Sequence, residues 1–184
     1  MKTRMKAIVV AAVLASPTAL TSISKAEGGR RGPVILTAPQ VSVTRTNFEA
    51  ETKDRLIGAE MEAEYSKRTR GTDTQERFSA EFEIIDPNSL GIHENTVGLE
   101  IHVNGALACT FKTPGILETE LKNGQTVQKI EFRAGIQHSN IGGVDNIKEV
   151  GDCGKLVPAV NAGDTAEIFF QGTSILTGTF KLDD

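Results

Sequence analysis

Tryptophan is absent from this 184-residue chain and tyrosine occurs once, at Tyr65. Lipocalin-like barrels and antibody-type domains normally carry a structural Trp, and surfaces that stack sugars or bases need exposed aromatic rings, so both classes are disfavoured. Sequence signatures of catalysis are also missing. No HExxH occurs, because the second histidine required after His93-Glu94 is replaced by Val97. There is no GxSxG, no GxxxxGK[ST] and no GxGxxG, and the nearest approach, GTSILTG, has the wrong spacing. A copper site of the cupredoxin kind needs Cys, His and usually Met near the last strands, yet nothing after Cys153 is any of these. No cofactor is implied.

Long apolar runs are lacking too. The longest near the start is AIVVAAVLA, residues 7–15, which as a helix spans only about 14 Å of a bilayer core roughly 30 Å thick. It follows a cationic MKTRMK and precedes a small, polar stretch ending Ser24-Lys25-Ala26. That order is the order of a secretory signal peptide over residues 1–26, with small residues at the −3 and −1 positions of a cut after Ala26. No cysteine follows to accept a lipid, and no later run approaches transmembrane length, so the mature chain is expected to have no transmembrane anchor. Loss of Lys2, Arg4, Lys6 and Lys25, with no acid lost, takes 20 basic residues to 16 against 24 acidic ones and the net charge from −4 to −8. So acidic a chain repels phosphate backbones, and nucleic acid is not an expected partner.

What is present is alternation. In IGAEMEAEY, Ile57, Ala59, Met61, Ala63 and Tyr65 fall on one side and Glu60, Glu62 and Glu64 on the other. FSAEFEI repeats the pattern, with Phe78, Ala80, Phe82 and Ile84 inward and Glu81 and Glu83 outward. Period two marks half-buried strands. Glu, Ala and Met favour helix intrinsically, but a helix here scatters its apolar residues around the cylinder. Further strands are expected at 34–37, 40–46, 97–103, 106–112, 117–121, 126–134, 166–171 and 174–182. Short, closely spaced strands predict an all-β fold: an antiparallel β-sandwich of immunoglobulin-like or jelly-roll type with about 8–10 strands. One domain is expected over residues 27–184, led in by the flexible EGGRRG at 27–32.

Three segments read as connections. SKRTRGTDTQER, residues 66–77, has no apolar residue and reads as an exposed hairpin loop with a basic tip at Lys67, Arg68 and Arg70. Residues 86–96 are rich in turn formers. Residues 135–155 form a long glycine-rich loop, and its His138, Asp145 and Asp152 are the candidate interaction or metal-binding residues.

Two cysteines in an exported chain predict one disulfide, Cys109–Cys153, closing a loop that contributes about 4 kcal/mol by chain entropy. The histidines His93, His102 and His138 fall in a turn, a strand and a loop and read as surface residues. Glu60, Glu62, Glu64, Glu81 and Glu83 should share one outward face, where like charges repel. A neighbouring strand carrying Lys129 and Arg133 outward offsets them, as would Ca²⁺ or a basic partner. In LEIHVNGALACTF, residues 99–111, a three-residue loop Val103-Asn104-Gly105 pairs Ile101 with Leu107 and Leu99 with Cys109. It makes Val97, Leu99, Ile101, Leu107, Cys109 and Phe111 one apolar face and sets His102 and Cys109 on opposite sides of the sheet.

The function these readings imply is an exported, non-enzymatic protein, periplasmic, cell-surface or extracellular, that works by binding or assembly with a protein or cell-envelope component. Pilus subunits share this composition: small, exported, all-β, often singly disulfide-bonded and poor in Trp. The rival is an extracytoplasmic hydrolase or metal-dependent enzyme with its site in the 135–155 loop.

Overall fold

The computed structural model describes residues 41–183; the expected signal peptide, the lead-in and the expected strand at 34–37 lie outside the described residues. Eleven strands follow: β1 (Val43–Asp54), β2 (Ala59–Arg70), β3 (Asp73–Asp86), β4 (Leu99–Val103), β5 (Ala106–Thr110), β6 (Ile116–Lys122), β7 (Gln125–Ile141), β8 (Val144–Val150), β9 (Thr165–Phe170), β10 (Thr173–Thr179) and β11 (Lys181–Leu182). All pair antiparallel. The large sheet runs β11-β1-β2-β3-β7-β6, with β8 sharing the β7 edge with β6, and the small sheet runs β10-β9-β4-β5. No helix among the described residues is long and apolar enough to cross a membrane.

The alternation seen in the sequence is what joins the two sheets. Met61, Phe78, Phe82 and Phe132 face inward from the large sheet, and Leu99, Ile101, Ile168 and Leu176 meet them from the small one, all buried. Each such side chain contributes roughly 1.5–3 kcal/mol of burial. Tyr65 also points inward and stacks on Phe48 with ring centroids 6.2 Å apart. The chain changes sheets at Phe180, which is buried between β10 in the small sheet and β11 on the edge of the large one. The 86–96 connection is organised by Asn88, whose Oδ1 accepts from the Leu90 and Ile92 amides at 3.1 Å and whose Nδ2 donates to the Ile92 carbonyl. That holds Ile92 in the core.

Two segments expected to be loops are strands. Residues 66–77 continue β2 and β3 up to a tight turn at Gly71-Thr72, and residues 135–150 continue β7 and form β8 around a turn at Gly142-Gly143, leaving 151–155 outside the strands. The large sheet outruns the small sheet here, so neither face is covered and no apolar side is needed. Polarity on both faces of 66–77 marks an uncovered stretch of sheet, not a loop, and the β7–β8 overhang leaves Ile141, Val144, Ile147 and Val150 exposed.

The β4–β5 hairpin also departs from its expected register. Asn104 and Gly105, with φ of 51° and 75°, form a two-residue turn that sets Val103 opposite Ala106. Two positive φ values suit a turn whose twist matches that of the strands. An irregularity between Ile101 and His102 then brings Ile101, not Leu99, opposite Cys109 and His102 opposite Leu107. Ala108 is the extra residue on β5. Cys109 therefore faces the core as expected, whereas Leu107 is 56% exposed and Val97 74% exposed, so neither joins the apolar face.

Cys109 and Cys153 are bonded across a sequence separation of 44. Beside them Thr110 and Asp152 exchange backbone hydrogen bonds of 2.7 and 3.0 Å, so the bond ties β5 of the small sheet to the segment following β8 of the large one. Replacing both cysteines (C109A/C153A) is expected to cost about 2–5 kcal/mol. Urea unfolding of the variant and the parent reads this directly, and an unchanged midpoint would show that the hydrogen-bonded bridge alone closes the loop.

Candidate functional site

The outward face of the large sheet is built by the same register that builds the core. Because Tyr65 and Phe78 point inward, Glu64, Ser66, Arg68 and Arg70 of β2 and Ser79 and Arg77 of β3 point outward. Pairing with β1 adds Glu51 opposite Glu62, Glu49 opposite Glu64, Asn47 opposite Ser66 and Arg45 opposite Arg68. The face is thus divided along the strand direction. Glu49, Glu51, Glu62 and Glu64 occupy one half and Arg45, Arg68, Arg70 and Arg77 the other, where Asp73, opposite Arg70, is the one outward carboxylate of these three strands. None of the eight forms an ion pair among the described residues.

Elsewhere on the sheet charges are matched. Lys53 pairs with Glu60 opposite it, and Lys67 pairs with Glu76 on the other face of the overhang. Lys129 reaches Glu83 at 3.1 Å and Glu120 at 3.3 Å, while Arg133 lies 3.5 Å from Glu81 and pairs with Glu131. The compensating cations are the two expected from the sequence. Carboxylate oxygens of Glu81, Glu83 and Glu131 lie within 4.8 Å of one another, the only such trio of His, Cys, Asp or Glu among the described residues. Lys129 and Arg133 occupy its flanks, so the trio is part of an ion-pair network in which two cations offset most of the carboxylate charge. Glu131 was not singled out from the sequence; its side chain is only 5% exposed, at an outward position on β7 between Glu83 of β3 and Ile116 of β6.

At the boundary between the two halves lies an open trough of about 550 Å³. Ser79 and Gly135 lie along it, Glu62, Glu64 and Glu81 stand on one side, and Arg77 and Lys148 on the other. Gly135 is required where β7 crosses β3: a Cβ there would meet the Phe78 carbonyl oxygen at 2.8 Å and the Ser79 Cα at 3.1 Å.

The other sequence candidates are dispersed. His138 lies 3.5 Å from Asp145 on the uncovered inner side of the β7–β8 overhang, whereas Asp152 sits beyond β8 on its bridge to Thr110. The structure brings His138 and Asp145 together and leaves Asp152 apart. Two side chains are fewer than the three protein ligands usual at a catalytic zinc. His102 stacks on Phe169 at 4.2 Å and contacts Glu100 at 2.8 Å on the outer side of the small sheet. His93 lies 3.3 Å from the Thr96 hydroxyl. Cys109 and Cys153 are in their disulfide.

Crowding of like charge is visible in the proton affinities. Glu62 is raised above its ordinary value by partial burial and then by Glu64 and Glu49. Glu49 is raised by partial burial and by Asp183, Glu51 and Glu64. Glu81 is raised by partial burial and by Glu131, against the opposing pull of Arg133. These groups hold protons in the folded chain at a pH where the unfolded chain has released them. Their contribution to stability is complete below the ordinary value of 4.5 and is lost as pH rises through the folded values.

In low salt the melting temperature is therefore expected to be higher at about pH 5 than at about pH 7. Glu62→Gln with Glu64→Gln should flatten the difference; a melting temperature that falls on acidification would contradict the crowding. Arg133→Gln is expected to cost about 1–3 kcal/mol by leaving the buried Glu131 carboxylate without its cation. Adding Glu131→Gln should restore part of that loss in the same urea titration, whereas a purely additive loss would show that the two side chains do not interact.

Comparison with family models, with curated proteins and with solved structures yields no match to this chain.

Proposed function

We propose that this chain is an exported, non-enzymatic β-sandwich protein that acts by binding or assembly, and that the outward face of the large sheet is its working surface. The single observation that carries this reading is the separation of unmatched charge into two halves of one exposed face. Like charges set side by side on neighbouring strands destabilise the sheet that carries them. The same sheet pairs Lys53 with Glu60 and Lys67 with Glu76, so alternation of sign was available to it. Local rules broken together in one place mark a surface selected for something other than stability.

The trough is open to solvent and edged by charged side chains, which suits an extended or macromolecular partner more than an enclosed small molecule. Charges of this kind steer encounter and select the partner more than they set raw affinity. The leader sequence and the disulfide support an oxidising compartment outside the cytoplasm. Assembly into an envelope structure, in the manner of pilus subunits, is one form this binding takes.

The test is retention of the mature, disulfide-intact protein on membranes and extracts of its native envelope. A variant combining Glu62→Gln, Glu64→Gln, Arg68→Gln and Arg77→Gln should be retained at least about tenfold less than the parent at low salt. Equal retention of a variant that unfolds as cooperatively as the parent would place the working surface elsewhere.

A further inference from the structure

We infer that the occupant of this face is a second copy of the chain, docked face to face about a two-fold axis that lays the arginine half of each sheet on the glutamate half of the other. The inference rests on the reading of this face as the working surface and names its partner. A two-fold interface uses the same patch on both subunits, so the patch must be complementary to itself. Here it is: Glu49, Glu51, Glu62 and Glu64 stand against Arg45, Arg68, Arg70 and Arg77 on the same three strands, with no ion pair to any of them among the described residues. A partner of one sign, whether a polyanion or a basic protein, gains from one half and is repelled by the other.

The register defines the axis. It runs across the strands between the row of Asn47, Ser66 and Arg77 and the row of Glu49, Glu64 and Ser79. Rotation about it sets Arg68 opposite the partner's Glu62 and Arg45 opposite the partner's Glu51. Arg70 then falls opposite the partner's Glu60, which its own Lys53 already pairs, and Asp73 opposite the partner's Glu83, so the two direct matches are Arg68 with Glu62 and Arg45 with Glu51. Stacked sheets lie about 10 Å apart, a gap that an arginine and a glutamate close together. Arg77, next to the axis, falls opposite the partner's Ser79, and the small Ser79 and Gly135 along the trough leave room for its side chain. The matching also runs against the overall charge: two chains that each carry a net −4, or −8 after loss of the leader, repel unless local pairing overcomes it.

The test is sedimentation of the mature, disulfide-intact chain with two charge-reversed variants. Arg45→Glu with Arg68→Glu turns the two directly matched cations acidic, and Glu51→Lys with Glu62→Lys turns their two carboxylate counterparts basic. The parent is expected to dimerise at micromolar concentration and to dissociate as salt rises from about 0.05 to about 0.5 M, since screening acts on the pairs. Each variant alone should associate at least about tenfold more weakly, and an equimolar mixture of the two should recover dimer. Because a folding defect would also abolish association, both variants are first matched to the parent by cooperative thermal unfolding; the salt response of the parent is independent of them. A parent that stays monomeric at about 100 μM overturns the inference. So does a dimer indifferent to salt, or a mixture that stays monomeric. If the parent is monomeric while envelope retention still depends on the face, the second copy fails as the occupant and the working surface stands.

Discussion

The pairing of β3 with β2 on one side and β7 on the other is the constraint on which the molecule depends. Phe78, Ala80, Phe82 and Ile84 lie opposite Tyr65, Ala63, Met61 and Ala59 on β2 and opposite Ile136, Ala134, Phe132 and Ile130 on β7. A slip of one residue at either ladder turns these apolar rows to solvent and the glutamate rows into the core, which is forbiddingly unfavourable. The register is therefore held by burial on one face. On the other face the same register decides, without any choice left, which charges become neighbours. Core packing writes the charge pattern of the surface behind it.

That coupling explains why the inner face of the large sheet was legible in the sequence and its far end was not. Alternation over 57–65 and 78–84 named the buried side correctly because a covering layer demands apolar residues at every second position. Lys129 and Arg133 were legible as the cations of the glutamate rows for the same reason: parity along β7 leaves them outward. The overhang carries no such demand, and its strands read as loops. Lys67, Arg68 and Arg70 looked like one basic tip; as a strand they separate, with Lys67 on the inner side beside Glu76 and Arg68 and Arg70 outward. The row of arginines becomes visible only once the strand is recognised.

The hairpin around Asn104 teaches a related lesson. A two-residue turn with unbroken pairing would mix Glu100 and His102 into the apolar face, which is why the sequence favours the three-residue loop. The chain keeps that turn and corrects the parity with one extra residue on β5. Cys109 reaches the core and His102 stays outside by either route, so the inference about the disulfide survived an error in the turn. What a side chain faces is a stronger deduction than which neighbour it pairs with.

The disulfide joins an edge of the small sheet to the segment leaving β8, the outermost strand on its part of the large sheet. Its mechanical meaning differs from its thermodynamic one. Tension applied to the β7–β8 overhang by a bound neighbour would, in a chain without the bond, peel strands away one hydrogen bond at a time from the free end. With the bond in place the pull passes covalently into β5 and spreads over both sheets, so the overhang becomes an anchored lever and the whole sandwich resists as one body.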